Sequence, residues 1–192
     1  MSLRARHRRN TAAVTQRAAV DLFAAEGFDA VTVRDVCAAV GMAPSTLYRH
    51  FPSKEAIVVW DEHAEDDGAA IERALERWPP FAALRHSFVA DVAARYDDDG
   101  GFQLRRISLI YRTPTIHAAA IRADADDRVY LTDLLARHLS VEQRDGADLL
   151  AGAALLAADR ALDRWQAAAA ATPLVELMTA AFDRLAHLER LR

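Results

Sequence analysis

The chain has 192 residues, 52% of them hydrophobic and 7% aromatic, with seven glycines, six prolines and one cysteine. That length buries a substantial core in one large or two small domains, and one cysteine excludes a disulfide framework. The net charge of −4 argues against a nucleic-acid partner for the whole chain, but residues 1–54 hold eight basic side chains against four acidic ones, leaving sixteen against twenty-four for the rest.

Taken in order, residues 1–10 carry Arg4, Arg6, Arg8 and Arg9 without apolar periodicity. They read as a flexible basic arm, with phosphate or minor-groove contact as the alternative use. This charged start lacks the apolar stretch of a signal peptide. A first helix spans about 11–26, with Val14, Ala18, Leu22 and Phe23 along one stripe, Gly27 as its stop and Phe28 packing back. Thr32 then N-caps a short helix over 33–40, with Asp35 closing a capping box and Val31 and Val36 forming a hydrophobic staple. Val33, Val36, Cys37 and Val40 recur at helical spacing, and Gly41 supplies a left-handed stop. Pro44 opens the next helix, in which only Leu47 and Phe51 are core-like, and Ser45 is expected to help cap it because Ala43 cannot.

After Pro52, Ser53 caps a long helix expected to reach about Trp78, apolar over Ala56–Trp60 and then acidic, with Gly68 marking a bend or a close approach. Pro79 and Pro80 end it. A helix over about 80–96 buries Leu84, Phe88 and Val92, and Asp97–Gly101 reads as a solvated loop. A helix over about 102–112 follows, then Thr113 and Pro114 open one reaching about Leu139. Ser140 and Gln143 suggest a capping box before an Ala/Leu helix to about Ala171, and Thr172–Pro173 opens the last helix, to about Leu191. The expectation is an all-α protein of about nine helices. No run is apolar enough to span a membrane, since Asp159, Arg160, Asp163 and Arg164 interrupt the most hydrophobic stretch, so a soluble cytoplasmic protein is expected.

The helix over Pro44–Phe51 is under three turns and cannot hold itself in water, so it must be docked to present its polar outer face. Short helix, glycine turn, short donor-rich helix is the layout of a helix-turn-helix, whose second helix enters the major groove. The stretch GMAPSTLYRHFPSKEAIV, with an upstream A-x-x-L-F-x-x-x-G-F-x-x-x-T-V-R-D-V pattern from Ala19 to Val36, resembles the DNA-binding region of TetR-type transcriptional regulators over roughly 11–58. Ala43 departs from that pattern, which often has Ser or Thr there. Pro44, Ser45 and Thr46 sit at the start of the recognition helix and are candidates for base contact, with Arg49 able to reach a base edge or a phosphate. The resemblance implies that Tyr48, His50 and Lys54 clamp phosphates; Thr32 and Arg34, at the start of the preceding helix, are similarly placed. Lys54 is the only lysine of the chain. The domain division expected is 1–52 for the head and 53–192 for an effector-binding and dimerisation body.

The last two helices carry Leu149, Gly152, Ala153, Leu156 and Ala157, then Leu174, Leu177, Met178, Ala181, Phe182, Leu185 and Leu188, more apolar surface than a thin body needs. Together with the resemblance this implies a homodimer through a four-helix bundle. The resemblance also implies a small-molecule effector held among the middle helices, for which His63, Phe88, Arg106, Ile107, Tyr111 and Trp165 are the candidates. LIYRTPTI and the Ala-rich helix with Trp165 are similar to the subgroup of actinobacterial TetR-like regulators that includes those near mycofactocin genes. No Gly-rich phosphate loop, HExxH, Cys pair or nucleophile elbow is present, so neither enzyme activity nor a cofactor is expected. Asp61, Glu62, His63 and Asp66 have metal-like composition but read as a solvated acidic face, and Cys37 as a structural thiol. The reading is a ligand-responsive regulator, expected to be a repressor that binds a palindromic operator as a dimer; the alternative is a helical ligand-binding protein or enzyme whose N-terminal bundle is only structural.

Overall fold

Residues 3–187 are described by a computed structural model, and every regular element among them is helical. In chain order these are α1 (Leu3–Glu26), α2 (Val33–Val40), α3 (Pro44–His50), α4 (Lys54–Val59), α5 (Ala64–Leu75), α6 (Pro80–His86), a π-helical segment (Ser87–Ala93), α7 (Ala94–Asp98), α8 (Gly100–Arg112), α9 (Pro114–His138), a 3₁₀ turn (Val141–Gly146), α10 (Ala147–Ala167) and α11 (Leu174–Ala186). The chain divides into two compact units: residues up to Glu62 with Gly101–Ile121, and His63–Gly100 with residues from Arg122 onward. The expected division at residue 52 did not include α8 with the head.

In the first unit Ala19, Val20, Phe23, Val36, Leu47, Phe51, Ile57 and Val58 are fully buried. Helix α1 begins at Leu3, not Thr11, so residues 3–10 of the expected flexible arm are its first turns, and the two residues before them lie outside the described residues. Ala and Arg are strong helix formers, but a segment polar on most sides has no apolar period to read. The buried stripe is also displaced: Thr15 and Gln16 lie inside, whereas Val14 is 54% exposed. Thr15 satisfies its hydroxyl by donating to Thr11 O, and Gln16 finds partners on α4. Gly27, at φ 92°, ends the helix, and Phe28 returns to meet Phe23 edge-on with centroids 5.0 Å apart.

The expected long helix after Ser53 breaks at Trp60, because its free carbonyls are taken by side chains. Gln16 Nε2 donates its two protons to Ile57 O (2.8 Å) and Trp60 O (2.6 Å) and shares one of them with Val58 O at a longer 3.2 Å. Arg106, on α8, donates from Nε to Val58 O (2.8 Å) and from Nη2 to Val59 O (3.0 Å) and Trp60 O (3.1 Å). The last turn of any helix leaves carbonyls unpaired, and a cation there is favoured by the dipole. Helix α8 is tied to α1 as well: Arg105 pairs with Asp21 (2.9 Å), and the Arg17 guanidinium lies 4.3 Å over the Phe102 ring.

In the second unit α6, the π segment and α7 run on from Pro80 to Asp98. The wider π turn shifts the inward face, so Leu84 and Phe88 are followed by Ala93 and Tyr96, and the expected Val92 is only half-buried. Asp97 is not a solvated loop residue: its carboxylate accepts the N–H groups of Leu174 (2.7 Å) and Val175 (3.0 Å). It thus caps α11 from another element, and Thr172 does not provide the expected cap. The Ser140–Gln143 capping box is also not formed, and a 3₁₀ turn precedes α10. Helix α10 ends at Ala167, with Ala169 and Ala170 at positive φ. The expected end of the last helix, with Leu188, lies outside the described residues. Gly68 does mark a close approach, since a Cβ there would stand 3.0 Å from Tyr130 Cζ and nearer still to its hydroxyl.

Candidate nucleic-acid interface

Helix α2 is held at both ends by its own sequence. Thr32 Oγ1 accepts from Asp35 N (3.3 Å), while Asp35 Oδ2 accepts from Thr32 N (2.8 Å) and from the Thr32 hydroxyl (2.7 Å). The Thr32 hydroxyl, then its amide, hold the Asp35 carboxyl below the usual carboxylate range. At the other end Gly41 adopts φ 65°, ψ 34°, and Met42 N–H donates to Cys37 O (2.9 Å) in a Schellman-type closure. Cys37 is buried on the inner face, and burial pushes its thiol up, away from the reactive thiolate.

The turn delivers α3 with Ala43 as N-cap and Pro44 at its first position; no side chain caps it, Ser45 included. Leu47 and Phe51 are buried at 0% and 1% exposure and anchor the helix. The opposite face presents Pro44, Ser45, Tyr48 and Arg49 exposed, with Thr46 and His50 half-buried. Tyr48 is 53% exposed. Thr32 and Arg34 are exposed at the start of α2. Burial, then the charges of Arg49 and Arg8, hold the His50 imidazole below its ordinary 6.5.

Lys54 is held differently from the other candidates. At the start of α4, where a cation opposes the dipole, its Nζ donates to Phe28 O (2.6 Å) and Val31 O (3.0 Å) and lies 4.0 Å over the Phe28 ring. An ammonium has three protons, so two of them fasten α4 to the turn between α1 and α2. Sequence reasoning found the outer face of α3 because amphipathicity reports it. It missed Gln16 and Arg106 as supports, because a glutamine and an arginine in arginine-rich helices give no periodic signal.

Of the effector candidates, Arg106, Ile107 and Tyr111 fall in the first unit and His63, Phe88 and Trp165 in the second. Ile107 is buried, and Tyr111 stands 5.7 Å from His117, ring to ring. Arg106 has its guanidinium on the α4 carbonyls. Phe88 packs on Phe182 (5.6 Å) and Trp165 on Tyr96 (6.1 Å). Buried Ser87 Oγ and Trp165 Nε1 lack hydrogen-bond partners, a feature of the second unit that its apolar pattern did not reveal. Half-buried His63 precedes α5. Among the described residues no group of three or more His, Cys, Asp or Glu could hold a metal ion, and no helix is long and apolar enough to cross a membrane.

Residues 17–59 match the family model described as bacterial regulatory proteins, tetR family, and residues 78–189, more than half the chain, match the MftR C-terminal domain. The chain belongs to the TetR family. The TetR-family relatives include the HTH-type transcriptional regulator TcmR of Streptomyces glaucescens, 32% identical over 155 residues that cover 77% of this chain and 66% of TcmR. Another is the putative mycofactocin biosynthesis transcriptional regulator MftR of Mycobacterium tuberculosis, 30% identical over 178 residues, 90% of this chain and 88% of MftR. Among solved structures, the TetR-family repressor FadR of Thermus thermophilus, crystallised with lauroyl-CoA, has the same fold with TM-score 0.60, 23% identity and 96% coverage of both chains. The TetR family is one of transcriptional regulators, and the geometry of α2 and α3 is that of its helix-turn-helix head.

Proposed function

We propose that this TetR-family protein is a homodimeric repressor that binds a palindromic operator in the cytoplasm and is released by a small apolar or amphipathic effector. The observation that carries this reading is α3 itself: a seven-residue helix anchored by Leu47 and Phe51 whose outer side is left to solvent. Pro44, Ser45 and Thr46 meet base edges; Tyr48, Arg49, His50, Thr32 and Arg34 meet phosphates or, for Arg49, a base; Lys54 offers its remaining proton to a phosphate. Two heads enter successive major grooves about 34–36 Å apart.

Dimerisation is supported by α10, where Leu149 and Leu156 are 73% and 59% exposed with the smaller Gly152 and Ala153 between them. Leu177, Ala181 and Leu185 of α11 are half-buried and keep apolar surface that a partner could cover, whereas Ala157, Leu174, Met178 and Phe182 belong to the core of their own unit. An effector in the second unit would have aromatic walls at Phe88 and Trp165, with the unpartnered Ser87 hydroxyl and Trp165 N–H as its polar contacts. The fold of FadR admits lauroyl-CoA, an amphipathic molecule of this general kind. Effector and operator weaken each other's binding by one common factor.

The test is a salt-dependent mobility shift with the full-length chain on its own upstream DNA, followed by footprinting. A two-lobed footprint is expected, and Ser45 or Thr46 substitutions should change which sequence is preferred. No shift even at low salt would overturn the reading and favour a helical ligand-binding protein whose head is only structural.

A further inference from the structure

Helix α3 carries one arginine, Arg49, and its angular position is fixed by the residue that anchors the helix. Leu47, at 0% exposure, marks the inward direction. At 3.6 residues per turn Thr46 and Tyr48 lie about 100° to either side of it, and Ser45 and Arg49 about 160°. Burial follows that order: Thr46 is half-buried, Tyr48 is 53% exposed, and Ser45 and Arg49 are both exposed. Ser45 and Arg49 therefore form the outermost row of the helix, one turn and about 6 Å apart along its axis. The Arg49 guanidinium is also uncommitted. Among the described residues no hydrogen bond, ion pair or ring contact holds it, whereas Arg105 and Arg106 are occupied by Asp21 and the α4 carbonyls. A cation in the last turn suits the helix dipole, yet that effect needs neither a forked group nor an outermost position.

We propose that Arg49 is the residue that sets operator choice, reading one guanine in each half-site through its O6 and N7. The major groove is about 12 Å wide and α3 is about 10 Å long, so the helix fits within it over its whole length. With the anchored side turned toward the rest of the head, the outermost row faces the groove floor, where base edges lie, and the flanks face the phosphate walls. A guanidinium has only donors, held in a fork. Guanine alone presents two acceptors side by side; adenine and thymine combine one acceptor with a donor or a methyl group, and cytosine offers a donor. Arg49 is therefore satisfied twice only over a guanine. Ser45, one turn earlier, both donates and accepts, so its hydroxyl has less power to choose. This inference rests on the operator-binding reading above and assigns Arg49 to a base, not a phosphate.

The test runs the full-length wild type and Arg49→Ala through parallel in vitro selections from random duplex DNA. The wild type should recover a site with one guanine fixed in each half, and Arg49→Ala should lose the preference at that position alone. On the wild-type site Arg49→Ala should bind about 5- to 150-fold more weakly per half-site, with the slope of log affinity against log salt unchanged. Replacing that guanine by 7-deazaguanine, which keeps the base pair and removes N7, should weaken the wild type and leave the variant unaffected. The side chain is exposed, so the variant should melt with the wild type, which circular dichroism checks. A uniform loss on every sequence, with a slope lower by about 0.9 per head, would put Arg49 on a phosphate and overturn the proposal. So would full wild-type affinity for the 7-deazaguanine duplex, the same guanine recovered by Arg49→Ala, or a wild-type site with no fixed guanine. Each of these leaves operator binding intact; failure of the wild type to select any duplex would overturn both.

Discussion

Arg106 and Gln16 meet on the same carbonyls, and that sharing sets how their substitutions combine. Replacing Arg106 by Met leaves Val59 O without a side-chain partner, while Val58 O and Trp60 O keep Gln16. A buried acceptor left unpaired costs about 1–3 kcal/mol, so with lost packing and relief of a buried charge the single variant should lose about 2–3 kcal/mol. Gln16→Met similarly orphans only Ile57 O and should cost about 1–2 kcal/mol. The double variant also strips Val58 O and Trp60 O, and should therefore be less stable than the sum of the singles by about 2 kcal/mol. Both side chains are buried, at 6% and 3% exposure, so water cannot readily stand in. Urea unfolding followed by circular dichroism gives the cycle, and amide exchange over 56–63 locates it. Strict additivity, or unchanged exchange in that segment, would refute the shared-acceptor account.

Asp97→Ala should cost about 1–2 kcal/mol by uncapping α11, read as faster exchange at residues 174–177, with α8 unaffected. Lys54→Met should both destabilise the head by about 1–2 kcal/mol and weaken binding to every DNA sequence alike, because it frees two carbonyls and a ring contact. Weakened binding at unchanged melting temperature would assign Lys54 to phosphate alone. His50 titrates below its ordinary value in the free protein, so its contribution to folding is lost as pH falls through about 6.5, where the unfolded chain takes up the proton more readily. A phosphate beside it raises that value again, so operator binding takes up a proton and affinity should rise as pH drops from 7.5 to 6. A pH profile unchanged by His50→Gln would rule out that contact.

What the chain's order of residues determined alone was whatever depends on neighbours within a turn or two. The Thr32–Asp35 capping box, the Gly41 stop, Pro44 at the first position of α3 and the buried pair Leu47 and Phe51 all follow from local hydrogen bonding and a 3.6-residue period. The outer face of α3, most of the candidate interface, was legible for that reason. What only the tertiary structure decided involves partners far apart in the chain. The break of α4 at Trp60 depends on Gln16 and Arg106, more than forty residues away on either side, and the cap of α11 on Asp97, 77 residues earlier. The helical start of α1 was hidden for a related reason, since a solvated stretch of Arg and Ala carries helix propensity but no apolar face. Long-range polar contacts leave no period in a sequence, because each acceptor is chosen by how the elements pack and not by the residues beside it.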